Sequence, residues 1–143
     1  MYARTVAIIL LAALGACTTA PPAPSSTAAG SALPGFYSGG YDSDGIHGAL
    51  VHGVFQLTIT EVSGDSIKGT SFAEFPSMWA TTCTNVTRPV TGTIQKDHLS
   101  ITIVPAEKLC QGMTLDLVVK PDRLEGTFTT GYGTPSPIVL LRK

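Results

Sequence analysis

The chain is 143 residues long, with ten acidic and nine basic residues and a formal charge of −1, and 43 % of it is hydrophobic. The charges are few and lie without runs, so the basic patch with which a nucleic-acid binder grips phosphates is missing. That length holds one compact domain and some flanking segments, and not two domains.

Residues 1–16 have the three-part layout of an export signal: Arg4 in a short basic start, an apolar stretch from Val6 to Leu14, then small residues. An apolar core of about ten residues is too short for a hydrocarbon layer, which needs roughly twenty. Leu14-Gly15-Ala16-Cys17 follows, and in all four positions it resembles the lipobox of bacterial lipoproteins. The resemblance implies cleavage before Cys17, a thioether-linked diacylglycerol on its sulfur and usually an acylated α-amine, which together make a stable membrane anchor where one acyl chain is marginal. An ordinary secretory signal fits less well, because it wants a small residue third from the cut, where Leu14 stands. Thr18 in place of aspartate implies outer-membrane sorting in an enteric-like Gram-negative host. The expected address is the cell envelope, with membrane contact made only through the lipid. Loss of Arg4 leaves eight basic residues against ten acidic ones, a net of −2.

Cys17 and the stretch to Pro34 form the next segment, built of Ala, Pro, Ser and Thr with no charge and no hydrophobic period. It cannot bury enough apolar surface to offset its ordering entropy and reads as a flexible tether. Residues 35–143 then make up the folded domain of 109 residues.

That domain reads as β throughout. Apolar residues alternate in Phe55-Gln56-Leu57-Thr58-Ile59, in Leu99-Ser100-Ile101-Thr102-Ile103 and in Met113-Thr114-Leu115-Asp116-Leu117, and no stretch holds a helical period. Turn residues at Ser63–Ser66, Lys96–His98 and Lys120–Arg123 separate such runs, and Leu57–Thr70 and Leu115–Thr127 repeat the same strand-turn-strand order. The pattern predicts eight strands, near 35–41, 49–62, 66–74, 86–95, 99–104, 112–120, 123–131 and 137–142. Short connections favour antiparallel neighbours, and closing the sheet removes the exposed edges that invite aggregation. An eight-stranded up-and-down barrel is therefore expected, with a two-sheet β-sandwich as the alternative. Glycines 69, 92 and 126 inside the strand pattern favour the barrel, because they permit tight bending and close backbone approach.

At the level of architecture the domain is similar to small barrels such as lipocalins and avidins, and to the barrel-shaped lysozyme-inhibitor lipoproteins of bacterial envelopes. Gly35-Phe36-Tyr37 departs from the Gly-x-Trp opening typical of lipocalins, and no functional residue is carried over from these families.

With Cys17 given to lipid, Cys83 and Cys110 remain as an even pair in an exported protein, which predicts a disulfide closing a loop of 28 residues. A redox or metal role for the pair lacks Cys-x-x-Cys and a histidine at ligand spacing. The segment Phe72-Ala73-Glu74-Phe75-Pro76-Ser77-Met78-Trp79 gathers two phenylalanines, the only tryptophan and a methionine. Phe72, Phe75, Met78 and Trp79 read either as a plug at one barrel end or as the lip of a ligand or partner site.

Chemistry is sparse. His47, His52 and His98 have no catalytic or metal spacing and read as exposed histidines. Asp42-Ser43-Asp44-Gly45 starts like a calcium loop, but Gly53 stands where a bidentate glutamate is needed. There is no Gly-x-Ser-x-Gly elbow and no phosphate-cradling glycine loop. No enzyme, no metal and no cofactor are expected. The sequence points to a non-catalytic binding module for a small apolar ligand or an envelope protein, or alternatively to a structural accessory of the envelope with no ligand.

Overall fold

A computed structural model describes residues 33–44, 50–74, 85–105, 107, 108, 110, 112–131 and 134–143. The lipobox, the tether up to residue 32, His47, Phe75, Met78, Trp79 and Cys83 lie outside the described residues.

The eight expected strands are present as β1 (Gly35–Asp44), β2 (Leu50–Ser63), β3 (Ser66–Glu74), β4 (Thr87–Gln95), β5 (His98–Ile103), β6 (Met113–Val119), β7 (Arg123–Thr130) and β8 (Ser136–Arg142). Each pairs antiparallel with the next. β8 returns to β1 through Tyr37↔Arg142, Ser38↔Leu141 and Tyr41↔Ile138, so the sheet closes into an up-and-down barrel and the sandwich is excluded.

Alternation explains which side chains go inside. Phe55, Leu57 and Ile59 of β2, Leu99, Ile101 and Ile103 of β5, and Met113, Leu115 and Leu117 of β6 all face the core. The period of β2 breaks once, where the register with β3 shifts between Ile59 and Glu61, and this bulge turns Val62 toward the core instead of Glu61. The interior is filled: twelve large apolar side chains, Phe55 and Phe128 among them, are under 2 % exposed. Burial of each contributes about 1.5–3 kcal/mol relative to exposure.

Outward positions carry mostly small polar groups, such as Ser100 and Thr102 on β5 and Thr114 and Asp116 on β6, all exposed. This is the reverse of a membrane-spanning barrel, which turns an apolar band outward. Among the described residues, no helix is long and apolar enough to cross a membrane.

Close strand crossing depends on glycine at particular inward positions. A Cβ on Gly126 would lie 1.9 Å from the Asp116 carbonyl oxygen, and one on Gly69 would lie 1.9 Å from that of Thr58. Both contacts are with the backbone of the adjacent strand, which no side-chain rotation can relieve.

The two barrel ends differ. At one, strands are joined by tight turns at 64–65, 96–97 and 120–122, with positive φ at Gly64 (58°) and Lys96 (60°). Each turn is stitched to a later strand: the carbonyls of Asp65, Asp97 and Asp122 accept from the amides of Ile94, Val119 and Arg142 at 2.8, 2.8 and 2.9 Å. The chain enters here, and Leu33 is completely buried in the core although the sequence reads it as tether. The Tyr37 hydroxyl donates to the Leu33 carbonyl (2.8 Å), and Arg142 donates through Nη2 to that of Pro34 (2.9 Å). We call this the sealed end. The connections at the opposite end are longer, spanning 45–49, 75–86, 104–112 and 131–135.

Candidate binding site at the loop-bearing end

Three strands send aromatic rings into the barrel near its loop-bearing end. Tyr41 of β1, Phe55 of β2 and Phe128 of β7 have ring centroids 5.1 Å (Tyr41–Phe128), 5.7 Å (Phe55–Phe128) and 6.4 Å (Tyr41–Phe55) apart, in tilted and edge-on geometries. Such arrangements suit the ring quadrupoles. Gly53, the cross-strand partner of Tyr41, makes the space: its Cβ would lie 2.5 Å from the Tyr41 ring. The Tyr41 hydroxyl reaches past it and donates to the Glu74 carbonyl (3.3 Å). Burial, helped by the nearby Glu74 charge, pushes the Tyr41 phenol well above its ordinary range.

Beside these rings lies the one charged side chain buried among the described residues. Arg88 is the second residue of β4, on the inward parity of Val90 and Ile94, and it is 3 % exposed. Its cross-strand partner is Ser71, which is also buried. Burial depresses the guanidinium pKa below its usual value, yet arginine stays charged at any physiological pH. Its Nη1 is buried and has no hydrogen-bond partner among the described residues.

Arg88 faces a cavity with apolar walls of Phe55, Ala73, Ile103 and Met113 and polar contributions from Ser71 and Asn85. Traced by the centre of a water-sized sphere, it measures about 10 Å³, room for roughly one water or one ligand oxygen. Asn85 closes the approach to β4 in a left-handed conformation (φ 56°), which asparagine tolerates better than most residues. Its amide donates to the Ala73 carbonyl (3.1 Å) and so holds this corner against β3.

Of the residues singled out in the sequence, Phe72 stands half-buried on the outer face of β3, opposite Gln56 and Thr87, and not in the interior. Phe75, Met78 and Trp79 lie outside the described residues. His52 and His98 are exposed, and His52 pairs through Nδ1 with Asp42, its cross-strand partner. Asp42 is thereby engaged on the barrel wall and not in a calcium loop. Among the described residues, no three His, Cys, Asp or Glu side chains come together as a metal site. Cys110 is buried, and Cys83 lies outside the described residues. Sequence reasoning missed Arg88. Its signal was parity: the alternation through Val90, Gly92 and Ile94 extends backward to position 88.

A scan against models of protein families finds no match, and neither does a search of curated protein sequences. Among solved structures, the chain is similar to a redesigned β-barrel, at 15 % identity and a TM-score of 0.58 over 80 % of this chain and 95 % of that one. It is also similar to a de novo designed fluorescence-activating β-barrel, at 13 % identity and a TM-score of 0.54 over 80 % of this chain and 97 % of the other. At these identities the likeness is one of fold.

Proposed function

We propose that the protein is a lipid-anchored, non-catalytic binding module of the cell envelope, which presents the loop-bearing end of its barrel to a small ligand or a protein partner. The observation that carries this reading is the inequality of the two ends. The chain enters at the sealed end, where Leu33 is buried and three turns are hydrogen-bonded to later strands, and the longer connections and buried Arg88 lie at the other. An anchor on Cys17 would therefore hold the sealed end toward the membrane and leave the loop-bearing end facing away from it. A mostly polar outer wall, on which Phe36, Val54, Val104, Val139 and Leu141 are scattered exposed apolar side chains among the described residues, supports an anchor that is lipid and not barrel. The filled core supports a site at the loop-bearing mouth instead of a deep lumen, since among the described residues twelve large apolar side chains occupy the interior and the cavity beside Arg88 measures only about 10 Å³.

Site-directed photo-cross-linking in cells that make the lipidated protein tests the reading, with a Cys17→Ser strain as the lipidation control. Cross-linking residues at Thr87 and Thr114, on the outer wall near the loop-bearing end, should capture a partner. The same residues at Asp65 and Asp122, in the sealed-end turns, should not. Equal capture from both ends would overturn the assignment of the binding end, and palmitate label that persists in Cys17→Ser would overturn the anchor.

A further inference from the structure

The geometry points to Arg88 as the receptor for one carboxylate, whose leading oxygen takes the water-sized cavity against Nη1. The inference rests on the loop-bearing end being the binding end. Four observations combine. The guanidinium is almost wholly buried, and its Nη1 lacks a partner among the described residues. The cavity in front of it has room for one oxygen and opens among polar Ser71 and Asn85 and apolar walls. Among the described residues, no carboxylate side chain lines that cavity. The ion pairs seen among the described residues, Asp42 with His52, Glu61 with Lys68, and Asp122 and Glu125 with Arg123, are elsewhere and involve partly or largely exposed groups.

A buried positive charge without a counter-charge is costly, and the group that best relieves it is an anion that brings its own hydrogen-bond acceptor. A carboxylate oxygen matches on charge and on size, and it forms a charge-assisted bond about twice as strong as a neutral one. Water would satisfy the donor and leave the charge. A phosphate or sulfate would bring further charged oxygens to a site whose walls are largely apolar, with only Ser71 and Asn85 as polar neighbours of Arg88. The carboxylate can belong to a small free acid or to an acidic side chain of a protein partner. In either case its remaining atoms must lie toward the loop-bearing mouth, because the interior beneath is filled by Phe55, Ile103 and Met113.

The test uses the full lipidated protein in non-ionic detergent. Sodium acetate and a terminally blocked glutamyl tripeptide serve as probes, with sodium chloride at matched ionic strength as reference. The readouts are the Arg88 side-chain nitrogen resonances and the melting temperature. Saturable shifts of those resonances by acetate or by the tripeptide, with a rise in melting temperature, are expected. The probe that saturates at the lower concentration identifies the source of the carboxylate. Arg88→Met should abolish the response and melt no lower than the parent without ligand. Arg88→Lys should keep a response that saturates at several-fold higher concentration.

Chloride acting as strongly as acetate would overturn the carboxylate assignment. Silent Arg88 resonances with both probes would do the same, as would an Arg88→Met protein that melts well below the parent, because the guanidinium would then be a structural element already satisfied. These outcomes are separate from the cross-linking result: acetate can move Arg88 whether or not Thr87 and Thr114 capture a partner.

Discussion

Replacement of Gly126 by alanine tests what closes the barrel. The new methyl carbon would lie 1.9 Å from the Asp116 carbonyl oxygen and 2.9 Å from both the Asp116 carbonyl carbon and Leu117 Cα. Ordinary contact begins near 3.4 Å, so β6 and β7 must separate locally by more than an ångström. Gly126 pairs with Leu117, and Leu117 is wholly buried, so the separation also disturbs the core beneath. Overpacking of this kind costs about 1–3 kcal/mol, and weakening one or two ladder hydrogen bonds adds about 1 kcal/mol each. The smaller entropy of the unfolded alanine chain offsets about 0.4–1 kcal/mol. The expected net loss is about 2–4 kcal/mol. Gly40 is the internal control: it is exposed on β1, and a Cβ there meets nothing nearer than the Gly53 carbonyl oxygen at 3.8 Å. Gly40→Ala should be neutral or stabilise by up to about 1 kcal/mol. Urea denaturation followed by far-ultraviolet circular dichroism measures both. A Gly126→Ala midpoint equivalent to less than about 0.5 kcal/mol of destabilisation at unchanged slope, half of the smallest overpacking cost, would refute close strand approach as the reason for glycine.

Two other outcomes follow from buried groups. Tyr37 and Tyr41 both have phenol pKa values raised above the ordinary 10.0, chiefly by burial; the nearby Arg142 partly opposes the rise at Tyr37, and the Glu74 charge adds to it at Tyr41. In the unfolded chain they ionise near the ordinary value, so above it the unfolded state has lost protons that the folded state keeps. Their contribution is fully present below pH 10 and is lost as pH rises above it. Absorbance at about 295 nm, the phenolate band, should show these two tyrosines ionising only together with loss of β structure, and reversible ionisation of both in a folded barrel would contradict their burial. The bridge proposed between Cys83 and Cys110 would close 28 residues, for which chain entropy gives about 3.6 kcal/mol. Reduction should lower stability by up to that amount, and thiols of both residues that alkylate without reductant would exclude the bridge.

Most of the fold was legible because each strand is buried on one face only. Phe55-Gln56-Leu57-Thr58-Ile59 must be a half-buried strand whatever its neighbours are, and the structure starts and ends most strands within a residue or two of the expected limits. β1 extends further than expected, to Asp44, because Asp42-Ser43-Asp44 shows no apolar alternation, and neither does Ser38-Gly39-Gly40 within its expected part. There the inward position is Gly39, where a Cβ would lie 1.9 Å from the Val139 carbonyl oxygen of β8, a constraint that exists only after closure. The site was harder to read for the same reason. Tyr41 and Phe55 come from successive strands but Phe128 from one far along the chain, and periodicity says which face a residue takes without saying which rings meet there. Arg88 has the right parity but the wrong chemistry, since a charged residue is almost never fully buried unless paired. Phe72 has the right chemistry and the opposite parity: it lies one residue past the inward Ser71 and so on the outer wall.

The proposed anchor and the proposed site bear on one another through distance. β3 has nine residues; at about 3.3 Å per residue and a strand tilt of about 40°, the barrel wall is roughly 23 Å tall. Residues 18–32 separate Cys17 from the buried Leu33; were this segment the flexible tether its composition leads one to expect, its root-mean-square span would be roughly 20 Å. With its sealed end toward the membrane, the mouth beside Arg88 would stand on the order of 40 Å above the lipid surface, several times the roughly 8 Å Debye length of physiological salt. An anionic lipid surface would then neither repel a carboxylate from Arg88 nor supply one, and the ligand must come from the space beyond the membrane. A tether cut by half would reduce its span only to roughly 14 Å, because span grows as the square root of length. The proposed site would therefore tolerate a shorter tether but not an inverted barrel, and it would be the end at which the chain enters, more than the length of the linker, that gives the proposed anchor its meaning.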